Sequence, residues 1–486
     1  MYDKNIPNRP IAPDNATQAR WDHTALRRRL IQGTWEEDLE DELYRHLPAD
    51  RREAWGVADM SSNALEQVSR QLAMLYHESP SVTHQEDISA LIGRDGYVTK
   101  SGYWSLMQRV QQYTIAMREC LVRIDVVPHV QGATSRSPGI LYRVVTPDYV
   151  YAEASPDAPD QILYYQEYRL RYSEKKKAYE WVADCIDIRD ENNPKFGMYK
   201  INNDGSLGED VSEDYMGHPT HEGESYPYRT KDGVPFIPVQ VYHAQKTGQL
   251  WNSFDGSSLC FGTLTSAVLF SFYLHLVRDA CWAQKYVAGL QLAGQSVVDQ
   301  DLPARRASIT TDPSSILVFT SDPDINTQPL IGSFEPPADP QKLLESVAKY
   351  EYRVATSAGV SSEVLRGSGD PRSGYALSIS REGQREAQKR YAPVFRLADE
   401  TLLAKTACLC NRFLNTSLPE EGYRVQYAQL NLSPEEMKAQ REDVIQKMSA
   451  GLISPVDAIM ILNPGFDEEE AKAELDKIRR ERAQYL

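Results

Sequence analysis

The chain has 486 residues, more than one compact core usually contains, so we expect several domains or sub-regions. With 41% hydrophobic and 25% charged residues, it has the composition of an ordinary soluble protein. Its 53 basic and 69 acidic residues give a net charge of −16, which argues against a protein that simply coats nucleic acid.

Cysteine usage and hydropathy predict a reduced protein without a membrane partner. The six cysteines form no CxxC pair and are too few for a disulfide scaffold. The stretch MYDKNIPNRP lacks the apolar region of a signal peptide, and the longest apolar run, 267–277, is too short to cross a bilayer. We therefore expect a protein that is cytoplasmic or assembled in the cytoplasm.

Residues 1 to about 118 are predicted to be mainly helical. Apolar residues recur at helical spacing at Leu65, Val68, Leu72 and Leu75, and a second amphipathic helix is predicted over 101–118. From Cys120 the period changes to two, and CLVRIDVV places Val122, Ile124 and Val126 on one face. Further strand-like runs follow at 140–145, 162–172, 179–188 and 236–243.

These strands are not interleaved with long helices, so the sequence predicts an antiparallel β region and not a doubly wound nucleotide-binding sheet. The following stretch, 261–286, is predicted to be a helix that is apolar nearly all round in its first half, and such a helix needs neighbours on several sides. Short strand or loop segments over 291–334 separate it from another helix over 341–358. The helical tail begins near Ser433-Pro434 and Ser454-Pro455, which are typical helix starts.

A glycine-rich loop, RGSGDPRSG, directly precedes a long charged helix over 375–413. A phosphate-binding loop is the first hypothesis for such a stretch. It lacks the Gly-Lys-Ser/Thr step that supplies the lysine and the magnesium-binding hydroxyl, and no parallel strand precedes it. An exposed hinge or flap is the better interpretation, since glycine gives the backbone freedom.

No catalytic, cofactor-binding or metal-binding constellation is predicted. His218, His221 and Glu222 lack the HExxH spacing, and Pro219 disfavours a helix there, so a solvated loop is favoured. The SxxK match at Ser173 and the KTG match at 246–248 occur without an SDN element and are coincidental. Two further cysteines, 408 and 410, are expected to be buried thiols.

The charges of the long helix allow two interpretations. Arg381, Arg385 and Lys389 recur every four residues and form one basic ridge, which is either a solvated face with ion pairs or a surface that faces DNA or a neighbouring subunit. Pro393 is predicted to kink this helix near Arg390.

The order of these elements resembles that of the portal proteins of tailed double-stranded DNA bacteriophages. The resemblance extends from about residue 55 to 486 and rests on several weak motifs in sequence order: LAMLYHESPSV, RVVTPDYVYA, DGVPFIPVQVYH, GSGDPRSGYALSIS and AGLISPVDAI. It implies an α+β portal fold with wing, stem, clip and crown, assembled as a ring. The absence of a predicted catalytic site agrees with it.

The resemblance also implies a domain plan. Its parts are a wing over 1–255, a stem helix over 256–290, a clip over 291–334, a second stem helix over 335–363, a tunnel loop over 364–374, a kinked tunnel helix with a return to the wing over 375–434, and a helical crown over 435–486. The DNA-facing loop residues would be Arg366, Gly367, Ser368, Gly369, Asp370, Pro371, Arg372, Ser373 and Gly374, and the clip contacts to motor or connector would include Arg305 and Arg306.

The function implied is that of a virion structural protein without enzymatic activity or cofactor. Its copies, typically twelve, would form the ring at one capsid vertex, assembled in the host cytoplasm. The implied partners are double-stranded DNA, the terminase motor, the head–tail connector, and the major capsid and scaffolding proteins. Two alternatives stay open: a phage-encoded metal-dependent hydrolase that uses the 218–222 region, and another tail or baseplate structural protein.

Overall fold

The computed structural model describes residues 9–46, 59–127, 139–159, 161–173, 177–202, 204–214, 224–246, 248–251, 258–283, 339–358, 360, 374–428, 434–462 and 468–485. Within these ranges the chain mixes helices and antiparallel strands, so it belongs to the α+β class.

Helices and strands are numbered here in chain order over the described residues. The helices are α1 (Asn15–Gln32), α2 (Glu36–His46), α3 (Ala64–Leu72), α4 (Ser89–Ile92), α5 (Tyr97–Lys100), α6 (Tyr103–Met117), α7 (Ser258–Ala283), α8 (Pro340–Ser357), α9 (Gly374–Leu414), α10 (Pro434–Ser449), α11 (Pro455–Leu462) and α12 (Glu468–Tyr485). The strands are β1 (Ser81–Thr83), β2 (Glu119–Val127), β3 (Gly139–Val145), β4 (Val150–Ala154), β5 (Ile162–Ser173), β6 (Ala178–Asp187), β7 (Lys195–Ile201), β8 (Leu207–Asp210), β9 (Val239–His243) and β10 (Arg424–Gln426).

The chain divides into two compact units, each assembled from separate stretches of sequence. The helical unit comprises 12–69 and 253–358, and the β unit comprises 1–11, 70–252 and 359–486. The predicted wing, 1–255, contributes residues to both units. Its assignment as one functional region stays a prediction.

The β unit contains three antiparallel sheets. Strands β3-β2-β9 form one sheet, β4-β5-β6-β7-β8 form the largest, and β1 pairs with β10 in a two-stranded ribbon. The predicted runs 120–127, 140–145, 162–172 and 179–188 are strands with ends within one residue of the prediction. The run 236–243 forms a strand only over its second half, β9, and β7 and β8 were not predicted.

The short C-terminal helices begin and end as their sequence indicates. The Ser454 hydroxyl accepts a bond from the backbone N–H of Asp457 (3.1 Å), and the Asp457 carboxylate accepts one from the N–H of Ser454 (3.0 Å), which is a reciprocal cap at the start of α11. Gly451, with a φ of 71°, follows the end of α10 in the left-handed conformation that favours glycine.

Candidate functional site

The long helix α9 contains the predicted site residues that the structure describes. Its 41 residues span about 60 Å at 1.5 Å per residue. Gly374 is the first residue of this helix, so the assignment of Gly374 to the preceding loop was wrong by one position. A glycine tolerates either conformation at such a junction, which is why the sequence did not fix the boundary.

The remaining loop residues, Arg366, Gly367, Ser368, Gly369, Asp370, Pro371, Arg372 and Ser373, lie outside the described residues. The same holds for Arg305 and Arg306 and for His218, His221 and Glu222. Their proposed roles therefore stay predictions.

The predicted basic ridge is only partly an exposed surface. Arg381 lies in the helix, and its side chain is outside the described part. Arg385 is half-buried, whereas Lys389 is exposed. The exposed face of α9 is instead built from residues at helical spacing further along, which we call the cationic face: Lys389, Arg390, Pro393, Arg396 and Leu397, with Glu386 beside them.

Pro393 lies in the middle of this exposed face and within the helix. Proline has no backbone N–H, so the carbonyl of Lys389 lacks its usual partner four residues later. Because Pro393 is on the exposed side, that carbonyl can bond to solvent or to a partner. The kink expected near Arg390 stays a prediction.

The opposite side of α9 is buried and contains a carboxylate. Asp399 is 0% exposed. Tyrosine hydroxyls from four separate segments donate to it: Tyr76 to Oδ2 at 2.8 Å, Tyr103 to Oδ1 at 3.0 Å, Tyr242 to Oδ1 at 2.8 Å and Tyr427 to Oδ2 at 2.8 Å. We call this set the tyrosine cluster. It joins the middle of α9 to α6, to β9 and to two connecting segments.

The pKa values of the tyrosine cluster are set by one buried charge, the Asp399 carboxylate, whose partners in the cluster are neutral hydroxyls. Burial raises the pKa of Asp399 to about 6, and the four hydroxyl bonds oppose that rise. The carboxylate is thus ionised at pH 7 and becomes protonated in mild acid. Burial also raises the pKa of each tyrosine, so all four remain hydroxyl donors at neutral pH.

A second buried charge cluster connects the two larger sheets of the β unit. Arg123 on β2 contacts Asp184 on β6 (Nη1 to Oδ2, 2.7 Å) and Glu167 on β5 (Nη1 to Oε2, 3.1 Å). Arg143 on β3 pairs with Glu167 and with Asp125 (Nε to Oδ2, 3.2 Å). We call these residues, with Arg169, the arginine cluster.

The acids of the arginine cluster have the opposite pKa behaviour to Asp399. Burial alone would raise the pKa of Glu167, but the charges of Arg143 and Arg123 hold it below its usual value. The same balance, with Arg123 first among the cations, lowers the pKa of Asp125. These contacts bind two sheets together and leave no reactive group exposed.

An open groove of about 1900 Å³ lies along the β1–β10 ribbon. Its lining includes five cations (Arg229, Lys231, Arg396, Arg412 and Arg424) and five acids (Glu86, Asp232, Glu400, Glu420 and Glu421). Several of the acids bind neighbouring backbone: Glu420 accepts from the N–H of Lys231 (2.9 Å) and Glu400 from that of Val425 (3.1 Å). The charges balance, so the groove has no preference for a ligand of one sign.

The helical unit contains a closely packed helix pair. Gly262 of α7 lies against Val354 of α8, where a Cβ would come within 2.6 Å of a valine methyl group. One turn later on α7, the Ser266 hydroxyl donates to Glu351 (2.9 Å), one turn earlier on α8. The two helices therefore run antiparallel. The predicted apolar helix 261–286 thus corresponds to α7, and α8 is one of its neighbours.

Polar residues of α7 and α8 bind the start of α3 and the residue Ser62 before it. Ser62 donates to Glu351 (2.6 Å), and Thr263 accepts from the N–H of Leu65 (2.8 Å). Thr263 and Ser266 are fully buried. Hydroxyls on an otherwise apolar helix thus satisfy buried backbone and carboxylate groups of the same unit.

The described residues hold no group of three or more histidines, cysteines or acids arranged to bind a metal ion. In the same part of the chain, no helix has the length and hydropathy needed to cross a membrane. Cys408 and Cys410 are buried free thiols, as predicted. The sequence did not reveal the tyrosine and arginine clusters.

Comparisons with known proteins give weak similarity to solved structures alone. No protein-family model matches the sequence, and no curated protein matches it. Among solved structures, a chain in the neck of an empty gene transfer agent (GTA) particle, computed with C6 symmetry, is similar with a TM-score of 0.36 and 12% sequence identity. The similarity covers 82% of this chain and 88% of that chain. A similarity at that score establishes neither a shared fold nor a shared function.

Proposed function

We propose that this chain is a virion structural protein whose copies form the portal ring at one capsid vertex, through which double-stranded DNA is packaged and ejected. The observation that supports it most is the antiparallel pair α7–α8 followed directly along the chain by the 41-residue helix α9. This is the order stem, clip, stem, tunnel loop and tunnel helix that the sequence resemblance implies, with the clip expected over 291–334 and the tunnel loop over 364–374.

The charge distribution supports a channel for moving DNA. A channel must not hold DNA tightly, because each phosphate that a fixed cation neutralises adds salt-dependent affinity. A chain of net charge −16, in which Lys389, Arg390 and Arg396 are the exposed basic residues among the described side chains of α9, satisfies that condition. The packaging motor, the head–tail connector and the capsid and scaffolding proteins would be its partners.

The main experiment is electron microscopy of the purified protein, with native mass spectrometry to count subunits. We expect a ring with a central opening, near twelve subunits. A monomer or dimer at micromolar concentration would contradict the proposal. Metal content and hydrolase assays on the wild type and on the His221→Ala variant, run on the same preparation, distinguish the enzyme alternative: a stoichiometric metal and an activity lost in the variant would favour it.

The loop assignment has its own experiment. We expect a deletion of 367–373, which leaves α9 intact from Gly374, to assemble rings normally but to fill few capsids with DNA. A matched control shortens the exposed turn 231–233, which the portal assignment does not place in the channel. Normal DNA filling in the loop deletion would remove the tunnel-loop role and leave the ring itself intact.

A further inference from the structure

The cationic face of α9 is exposed along about three turns of helix. Lys389, Arg390 and Arg396 supply three positive charges, and Glu386 offsets one of them. Leu397, which is 55% exposed, lies among them. The face therefore has a net charge of +2, and charges of opposite sign on two surfaces guide their association, so it fits a partner surface that is negatively charged.

The same β unit exposes a surface of the opposite character at the edge of its largest sheet. Strand β8 is the last strand in the order β4-β5-β6-β7-β8. It and the residues after it form what we call the acidic edge: Leu207, Glu209, Asp210, Glu213 and Asp214. Lys200 pairs with Glu209, so the four acids and one lysine give a net charge of −3. Leu207 is 37% exposed among them.

The two surfaces match in charge and in apolar content. Each has one exposed leucine, Leu397 or Leu207, and the net charges of the two surfaces, +2 and −3, are opposite in sign. Two different surfaces that fit each other on copies of one chain make a heterologous contact, which closes into a ring when the rotation permits.

We propose that the cationic face of α9 binds the acidic edge of a second copy of this chain. The inference rests on the proposed ring and assigns the face carrying Lys389 to a subunit interface, not to DNA. Long-range attraction between the surfaces speeds association at low ionic strength, and the leucine pair excludes water at the centre of the contact.

Charge reversal tests this pairing. The cationic-face variant is Lys389→Glu with Arg396→Glu, and the acidic-edge variant is Glu209→Lys with Glu213→Lys. In each variant the two surfaces carry the same sign, so we expect each alone to need at least tenfold higher concentration to assemble at 50 mM salt, measured by mass photometry and sedimentation velocity. The wild-type advantage should shrink at 500 mM salt.

Mixing the two variants gives the decisive result. In a 1:1 mixture, alternation of the two chains brings both reversed surfaces together at one contact and both unchanged surfaces together at the next, so opposite charges meet at every contact and assembly should return. A chain that carries all four substitutions should also assemble. The opposite result would overturn the inference: if the four-substitution chain assembles but the mixture does not, the two surfaces pair within one chain and not between copies.

A matched control separates this contact from overall charge. The exposed pair Arg94→Glu with Lys100→Glu changes the charge of the β unit by the same amount as the cationic-face variant and should assemble as the wild type does. If the wild type and both reversal variants form rings equally well, the inference is wrong but the proposed function stands. The acids of the edge strand would then serve only to prevent aggregation through the sheet edge. If the wild type forms no ring, the proposed function fails as well.

Discussion

Two buried charge clusters of the β unit solve the same physical problem in opposite ways. In the arginine cluster, Arg123 and its neighbouring arginines face carboxylates, so ions neutralise ions. In the tyrosine cluster, the single carboxylate of Asp399 is surrounded by neutral hydroxyls. The neighbouring arginines lower the pKa of Glu167 and Asp125 in the first cluster, and burial raises the pKa of Asp399 in the second.

This difference has a consequence in acid. The acids with lowered pKa, Glu167 and Asp125, stabilise the fold above their unfolded pKa, and that contribution is lost as the pH falls through their folded pKa values. Asp399 has a raised pKa, so the folded state binds its proton more tightly and the contribution of this group to stability falls as the pH rises from about 4 to about 6. The two clusters therefore respond to acid with opposite sign.

The largest expected effect comes from removing the central cation of the arginine cluster. Arg123→Met should lower the free energy of unfolding by about 3–5 kcal/mol, because it leaves Asp184 and Glu167 buried with fewer cations. Chemical denaturation monitored by tryptophan fluorescence measures the change. Arg169→Met is the matched control: Arg169 lies 3.6 Å or more from the same acids and is 23% exposed, so its loss should cost less. Equal costs would show that Arg123 has no special place in the cluster.

Asp399→Asn removes the ionisable group from the other cluster and tests the pH argument directly. The amide keeps the shape but cannot ionise, so the variant loses the fall in stability between pH 4 and 6. Relative to the wild type, we expect it to gain about 3 kcal/mol on going from pH 4 to pH 7, at 1.36 kcal/mol per pKa unit. The check is urea denaturation of both proteins at half-unit pH intervals. Parallel curves would mean that Asp399 is not titrating with a raised pKa.

Removing one hydroxyl at a time tests how the tyrosine cluster holds its charge. Tyr427→Phe and Tyr242→Phe each delete a bond to an ionised group and should cost about 1.5–3 kcal/mol at pH 7. Each should also raise the pKa of Asp399 further, since the hydroxyls oppose the effect of burial. Tyr172→Phe, at an exposed position of β5, is the control and should be neutral. A variant that costs stability without moving the pH midpoint would show packing loss alone.

The sequence predicted the elements better than it predicted these clusters. Strands β2, β5 and β6 were found because their apolar residues alternate, and α9 because its helical pattern is long. In β2, the pattern directed attention to Val122 and Ile124, but Arg123 on the other face is buried as well, since a second sheet covers it. Alternation of apolar and polar residues along a strand shows which residues share a face, but it cannot show that a second sheet covers the polar face.

The tyrosine cluster could not be predicted from the sequence for a different reason. Asp399 lies 323 residues from Tyr76 and 157 from Tyr242, and nothing in the local sequence of α9 marks it as buried. Strand β7 was missed because a glycine and two lysines interrupt its pattern. Of the predicted ridge Arg381, Arg385 and Lys389, Arg385 is half-buried and Lys389 is exposed, because spacing alone does not say which side of a helix is covered.

The smallest expected effect comes from Lys405. Like Asp399, it is a charged group whose hydrogen-bond partners are neutral, but it is a cation. It lies six residues later on α9, and its ammonium donates to the carbonyl of Val239 (2.6 Å) and to the Gln240 side chain (3.3 Å). Burial lowers its pKa to about 8, so the folded state binds this proton less tightly than the unfolded state. The contribution of Lys405 to the free energy of unfolding should therefore rise with pH between about 8 and 10, whereas that of Asp399 falls with pH.

Lys405→Met should remove that rise, on the order of 1 kcal/mol because the residue is only half-buried. Denaturation at pH 8 and pH 10 measures it, and a rise that survives in the variant would mean that neutral acceptors hold this lysine as well as water does.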